Sequence, residues 1–208
     1  MNETTESGTV FIVDDDDAVR DSLSLLLTAE GFDVVSFESG DAFLLANPAN
    51  VTGCILLDIR MPGTSGIEVQ DELMKRESGL PIIFITGHGD VPMAVDAMHK
   101  GAFDFLQKPF RNEELVERVG QALASSIADQ DVNKRRQEAR DRYATLTPRE
   151  REVMDMVAQG AANKVIAMDL DLSQRTVEIH RSRVMEKMGA RSLAALVKMS
   201  VLNMEQAD

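Results

Sequence analysis

Residues 12–23 read IVDDDDAVRDSL, four consecutive aspartates between an apolar run and a helical pattern. Four adjacent carboxylates repel one another, so the stretch serves a bound cation, a helix start or a solvated turn. Ahead of it, VFIV (10–13) has the look of a strand. Behind it, Leu23, Leu26 and Leu27 recur at helical spacing over Ala18–Ala29, and Gly31 closes that helix as a C-cap.

The same unit repeats outward. FDVVSF (32–37), GCILLD (53–58), PIIFIT (81–86) and FDFLQK (103–108) read as further strands, and three of the five are nearly continuous apolar, as parallel strands covered on both faces must be. Between them, Ser65 with Glu68 forms a capping box opening a helix through Met74. Asp90 precedes a helix to about Lys100, and another begins near Asn112. The pattern predicts a doubly wound α/β domain with a five-stranded parallel sheet, joined by right-handed crossovers.

Composition changes after residue 124. Residues 1–124 carry 22 Asp and Glu against 8 Lys and Arg, whereas 125–208 carry 13 against 14, so the net charge of −13 belongs to the first part alone. Residues 124–142 form a connecting segment. Asp131 with Arg135 and Glu138 with Arg142 are i,i+4 pairs that suit either a solvated linker or a helical stalk continuing the preceding helix. The remainder, 143–208, reads as wholly helical. Thr147 caps a helix with Pro148 and Glu150, and Gly160 ends it. A short helix spans Asn163 to about Leu170; Asp171 and Leu172 turn the chain; Ser173 caps a helix to about Met188; and Ser192 starts a last one. Four helices with two joined by a tight turn suggest helix-turn-helix.

The acidic N-terminus is not a signal peptide, and no apolar run approaches the ~20 residues of a membrane helix, so a cytoplasmic protein with no membrane partner is expected. Cys54, the single cysteine, lies in the apolar run CILL, which suits a buried hydrophobe in a reducing compartment.

In a parallel sheet every C-terminal strand end lies on one edge, where ligands bind at the point of order reversal. The polar residues at those ends are Asp14, Asp15, Asp58, Thr86 and Lys108. With strand order 2-1-3-4-5, Asp14, Asp15 and Asp58 meet. A hard cation such as Mg²⁺ would let them ionise together. A hydroxyl and a lysine beside carboxylates and a metal suit a phosphoryl group, with Asp58 as nucleophile. In the second half, Val177, Val184 and Met188 share a core face of their helix, while Arg175, Glu178, Ile179, Ser182 and Glu186 face away. Residues 173–191 hold five basic and two acidic side chains, a local basic patch.

At these residues the chain resembles the two-component response regulators of the FixJ/NarL family. VDDDD (13–17), LLDIRMPGTSGIE (56–68), ITGHGD (85–90) and LQKPF (106–110) resemble the motifs of a flavodoxin-like receiver domain over residues 9–123, and TGHGDVPMAV resembles the FixJ-type subgroup. LTPRERE, NKVIAMDLDLS, RTVEIHRSRV and KMGARSLAAL resemble a LuxR-type helix-turn-helix domain over 143–208. The resemblance implies Asp58 as phosphoacceptor, and Asp14, Asp15 and the backbone carbonyl of Arg60 as its partners around Mg²⁺, with Mn²⁺ as substitute. It also implies Thr86 and Phe105 as switch residues, with core packing the competing role for Phe105, and Lys108 as the phosphoryl-binding lysine before a cis Pro109; Arg60 and His88 stand at positions that tune phosphoryl lifetime, although His88, between two glycines, also suits a plain loop histidine. Phe105 stands where a tyrosine is frequent, so no hydroxyl acts there.

The recognition helix of such a domain enters the major groove. Base contacts are expected from Glu178, Ile179, Ser182 and Arg175, and phosphate contacts from Lys164, Thr176, Arg181, Arg183 and Lys187, with packing the competing role for Arg181 and His180. Partners implied are a histidine kinase, double-stranded promoter DNA, RNA polymerase and a second copy of the chain after phosphorylation. Two other classes compete. An aspartyl phosphatase needs a second acid two residues after its nucleophile, where this chain has Arg60. A binding module that never uses its pocket would have no need of the whole acidic set. No turnover enzyme is expected.

Overall fold

The computed structural model describes residues 8–46, 48, 51–87 and 91–204. They form two units that divide after Gln130. In the first, strands β1 (Thr9–Val13), β2 (Asp33–Phe37), β3 (Gly53–Asp58), β4 (Ile82–Thr86) and β5 (Asp104–Gln107) make one parallel sheet in the order β2-β1-β3-β4-β5. Helices α1 (Asp17–Ala29), α2 (Gly40–Ala46), α3 (Gly66–Lys75), α4 (Val91–His99) and α5 (Asn112–Ala144) connect and cover it.

The central strands are apolar without a break because both faces are covered. Alternate residues of β1 and β3 enter different cores. Phe11, Val13, Ile55 and Leu57 pack with Phe43 of α2, Val69 and Leu73 of α3, and Ala94 and Ala97 of α4. Val10, Ile12, Cys54 and Leu56 pack with Leu23 and Leu27 of α1 and with Leu115, Val119 and Ala122 of α5. Burial pushes the Cys54 thiol up to about 12, so it is a core hydrophobe without thiolate chemistry.

The capping box of α3 forms as its sequence implies, Ser65 accepting from the Glu68 N–H and Glu68 from the Ser65 N–H. Sequence patterning assigned no helix between β2 and β3, where α2 stands. Only Gly40 and Phe43 of that short helix are buried, too few for a legible apolar stripe. Asp90, expected to open α4, lies outside the described residues.

Helix α5 is continuous for 33 residues, through the whole of 124–142. Within the first unit Ser126 accepts from the Gly53 N–H at 3.1 Å, and Thr52 bonds Gln130. Within the second unit Ala139 is buried, and Tyr143 packs against the core formed by α6 (Pro148–Ala158), α7 (Asn163–Asp169), α8 (Gln174–Met188) and α9 (Leu193–Met204). Val153, Met154, Ile166, Val177, Val184, Met188 and Leu196 are the centre of that core. Asp171, at φ 52°, makes the turn between α7 and α8, and Gly189, at φ 65°, ends α8 in the left-handed conformation.

Candidate functional site

The register sets β1 and β3 side by side, with Val13 opposite Leu57, so the residues ending the two strands emerge together at one sheet edge. Asp14 and Asp58 meet there. The Lys108 ammonium, arriving from the end of β5, donates to Asp14 Oδ2 at 2.9 Å and to Asp58 Oδ1 at 3.1 Å. The following Lys108–Pro109 peptide is cis. Asp58 Oδ2 accepts from the Arg60 N–H at 2.7 Å, and Asp14 Oδ1 from the Asp16 N–H at 2.9 Å.

The four aspartates separate into roles. Asp14 is buried and belongs to the pocket. Asp16 is the N-cap of α1, accepting from Ala18 N at 2.8 Å, and Asp17 lies in the first helical turn. Asp15, expected as the third carboxylate, follows Asp14 in the chain. Its side chain is exposed, and among the described residues no group of three or more acidic, histidine or cysteine side chains gathers into a metal cage. Arg20 was not singled out from sequence. Its guanidinium donates to the Asp14 carbonyl at 2.6 Å and pairs with Asp17, fastening the acidic turn to α1.

Burial holds the Asp58 carboxyl above the usual carboxylate range, with the Asp14 charge adding to it and Lys108 and the Arg60 N–H opposing. Burial pulls the Lys108 ammonium down, but its bonds to Asp14 and Asp58 outweigh that and leave it above its ordinary value. A half-buried lysine thus stays charged between two carboxylates. The two carboxylates are hard oxygen donors suited to Mg²⁺, which takes one or two carboxylates and keeps waters for a phosphate to replace.

Thr86 ends β4 and is buried, and its hydroxyl donates to the Gly87 carbonyl at 2.9 Å. Phe105 is half-buried against the same core as α4. His88 lies outside the described residues. Gly66 is a site residue that the sequence reading passed over. A Cβ there would overlap the Asp58 carbonyl, so only glycine lets α3 begin this close to the end of β3.

In the second unit, α8 buries Val177, Val184 and Met188 and exposes Arg175, Glu178, Ile179, Ser182 and Glu186, the division expected from its sequence. Arg175 pairs with Glu178 at 3.5 Å on that face. Lys164 and Arg183 are exposed. The other three residues assigned to phosphates are engaged inside the domain. Thr176 shares a hydroxyl–hydroxyl bond with Ser173 in the helix cap. Arg181 donates to Asn163 at 2.8 Å, tying α8 to α7. Lys187 donates to buried Glu150 at 2.6 Å and to the Thr145 carbonyl at 3.1 Å. A lone helical wheel cannot show the ties of Arg181 and Lys187, because their partners lie outside α8.

Two family descriptions match the chain: response regulator receiver domain over residues 10–120, and bacterial regulatory proteins, luxR family, over residues 144–200. Transcriptional regulatory protein FixJ of Bradyrhizobium diazoefficiens is 43% identical over 197 residues, covering 95% of this chain and 96% of that protein. FixJ of Azorhizobium caulinodans is 47% identical over 197 residues, covering 95% and 93%. Among solved structures, response regulator StyR matches with a TM-score of 0.84 at 41% identity, covering 93% of this chain and 98% of that one. Full-length FixJ from B. japonicum matches at 0.59 and 43% identity, covering 94% and 96%.

Proposed function

The chain belongs to the FixJ/NarL family of two-component transcriptional regulators, a receiver domain joined to a LuxR-type DNA-binding domain, and on that premise we propose that phosphorylation of Asp58 controls its binding to DNA. The observation that carries this reading is the convergence of Asp14, Asp58 and Lys108, with one ammonium within 3.1 Å of both carboxylates. A receiver implies a histidine kinase as donor, and the LuxR-type domain implies duplex DNA as target.

In the transfer, an Asp58 carboxylate oxygen attacks phosphorus and the bond from phosphorus to the kinase histidine nitrogen breaks. An acyl phosphate is left on Asp58 and a free histidine on the kinase. Mg²⁺, with Mn²⁺ as substitute, would be held by Asp14, Asp58 and the Arg60 carbonyl, with Asp15 at the rim, and would neutralise charge on the transferred oxygens. Lys108 exchanges its bond to Asp58 for one to the phosphoryl group, meeting an added charge of roughly −1.5 to −2. Thr86 gives up its bond to Gly87 and turns its hydroxyl toward the new oxygens, and Phe105 follows it inward. These movements alter the surface of α4 and β5 and promote pairing of two copies, so that two α8 helices address two half-sites.

Base reading falls to Glu178, Ile179, Ser182 and Arg175, and phosphate contact to Lys164 and Arg183. The bound dimer then engages RNA polymerase. Arg60, where an aspartyl phosphatase carries its second acid, supports a switch over a turnover enzyme. Among the described residues no helix is long and apolar enough to cross a membrane, and a DNA target places the reading in the cytoplasm.

Incubation with radiolabelled acetyl phosphate and Mg²⁺ tests the acceptor. The wild-type chain should take up label and Asp58→Asn should not. Equal labelling of the variant would put the acceptor elsewhere.

A further inference from the structure

The C-terminal end of α8 is held from outside its own helix. Arg142, in the last turn of α5, donates from Nη1 to the Met188 carbonyl at 2.8 Å. Glu138 precedes Arg142 by four residues, the spacing of a helix-surface pair, yet the guanidinium goes to Met188 instead. The last carbonyls of a helix have no partner within it, and a cation there also meets the negative end of the helix dipole. Arg142 answers both needs at once.

Space for this contact depends on Gly189. It sits at φ 65°, and a Cβ on it would overlap the Arg142 guanidinium. Two residues before Gly189, Lys187 reaches back to the Thr145 carbonyl at 3.1 Å, so two side chains fasten the last turn of α8 to residues 142–145. Nearer its middle, α8 packs Val177 and Val184 into the core and is tied sideways through Arg181 to Asn163.

We infer that Arg142 is a positioning residue for DNA reading, setting the tilt of α8 from its far end. This rests on the DNA-binding reading of α8 given above. Because Arg142 belongs to α5, the tilt of the reading helix also depends on whether the last turn of α5 is formed. Unwinding of that turn withdraws the guanidinium from Met188 and frees the end of α8. Arg142 itself need not touch DNA.

The experiment measures affinity of the full chain, treated with beryllofluoride, for a duplex selected from random DNA and for a scrambled duplex. Arg142→Met is expected to lower affinity for the selected duplex about tenfold, the effect of losing one charge-assisted hydrogen bond. Affinity for the scrambled duplex and the salt dependence should stay as in the wild type. Arg142→Lys, which restores a cationic donor, should recover part of the preference. Gly189→Ala, displacing the guanidinium from the other side, should lower the preference as Arg142→Met does, and the double variant should lower it no further. Far-UV circular dichroism checks that each variant is folded.

Equal loss on both duplexes, with the salt slope smaller by about one, would make Arg142 a phosphate contact and overturn the inference. An unchanged preference in folded Arg142→Met would overturn it as well. Failure of the wild-type chain to select any duplex would overturn the DNA-binding reading itself, and the inference with it.

Discussion

Replacing Lys187 with methionine should destabilise the DNA-binding domain and remove most of its sensitivity to acid. Lys187 donates at 2.6 Å to Glu150, whose side chain is 3% exposed, while that of Lys187 is 34% exposed. Glu150 is also the N3 residue of the α6 capping box, accepting from the Thr147 N–H at 2.9 Å. The Lys187 bond, with that N–H second, holds the Glu150 carboxyl from its ordinary 4.5 down to about 2. At about 1.4 kcal/mol per tenfold, a drop of that size corresponds to about 3 kcal/mol, part of which belongs to Thr147. Solvent around Lys187 screens the pair further, so the substitution should cost about 2 kcal/mol at pH 7.

The sign follows from linkage. A lowered folded value gives stability that is complete above pH 4.5 and is lost as pH falls toward 2. Wild type and variant should therefore differ most near neutrality and converge in acid. The chain has one tyrosine and no tryptophan, and Tyr143 packs on the core of this domain, so tyrosine fluorescence during urea unfolding reports on it selectively. A cost that stays constant from pH 6 to pH 3 would refute the assignment of the Glu150 shift to Lys187.

Three further outcomes are expected. Since burial raises the Asp58 carboxyl, its ionised form opposes folding, and Asp58→Asn should stabilise the receiver at pH 7 in chelator-containing buffer, with less gain at pH 4; urea unfolding followed by far-UV circular dichroism measures this, and a destabilised variant would contradict it. At the DNA face, Glu178→Ala should relax preference at one base pair, worth ~1–3 kcal/mol. Lys164→Ala should instead weaken all duplexes alike and reduce the salt slope by about one, and binding titrations over a salt series separate the two.

Strand runs such as VFIV and GCILLD are legible because burial on both faces demands continuous apolar residues, and their ends then point to Asp14, Asp58, Thr86 and Lys108. Sheet order turned these separate positions into a pocket, since Asp14 meets Asp58 only when β1 and β3 are neighbours. What stayed hidden depended on tertiary partners. Asp15 and Asp14 are adjacent letters, yet Asp14 is buried and Asp15 exposed, a difference the letters do not carry. Lys187 reads as a surface group on a helical wheel, yet the buried Glu150 of α6 engages it. Gly66 is one glycine among 13, and its need appears only when the Asp58 carbonyl is found against it.

The central claim is that phosphoryl chemistry at Asp58 controls DNA binding, and affinity for a selected duplex with and without beryllofluoride and Mg²⁺ tests it most directly. Wild-type affinity should rise, with two chains bound per duplex, while Asp58→Asn should show the same low affinity in both conditions. A wild-type affinity indifferent to beryllofluoride, or an Asp58→Asn variant that responds in full, would contradict the account.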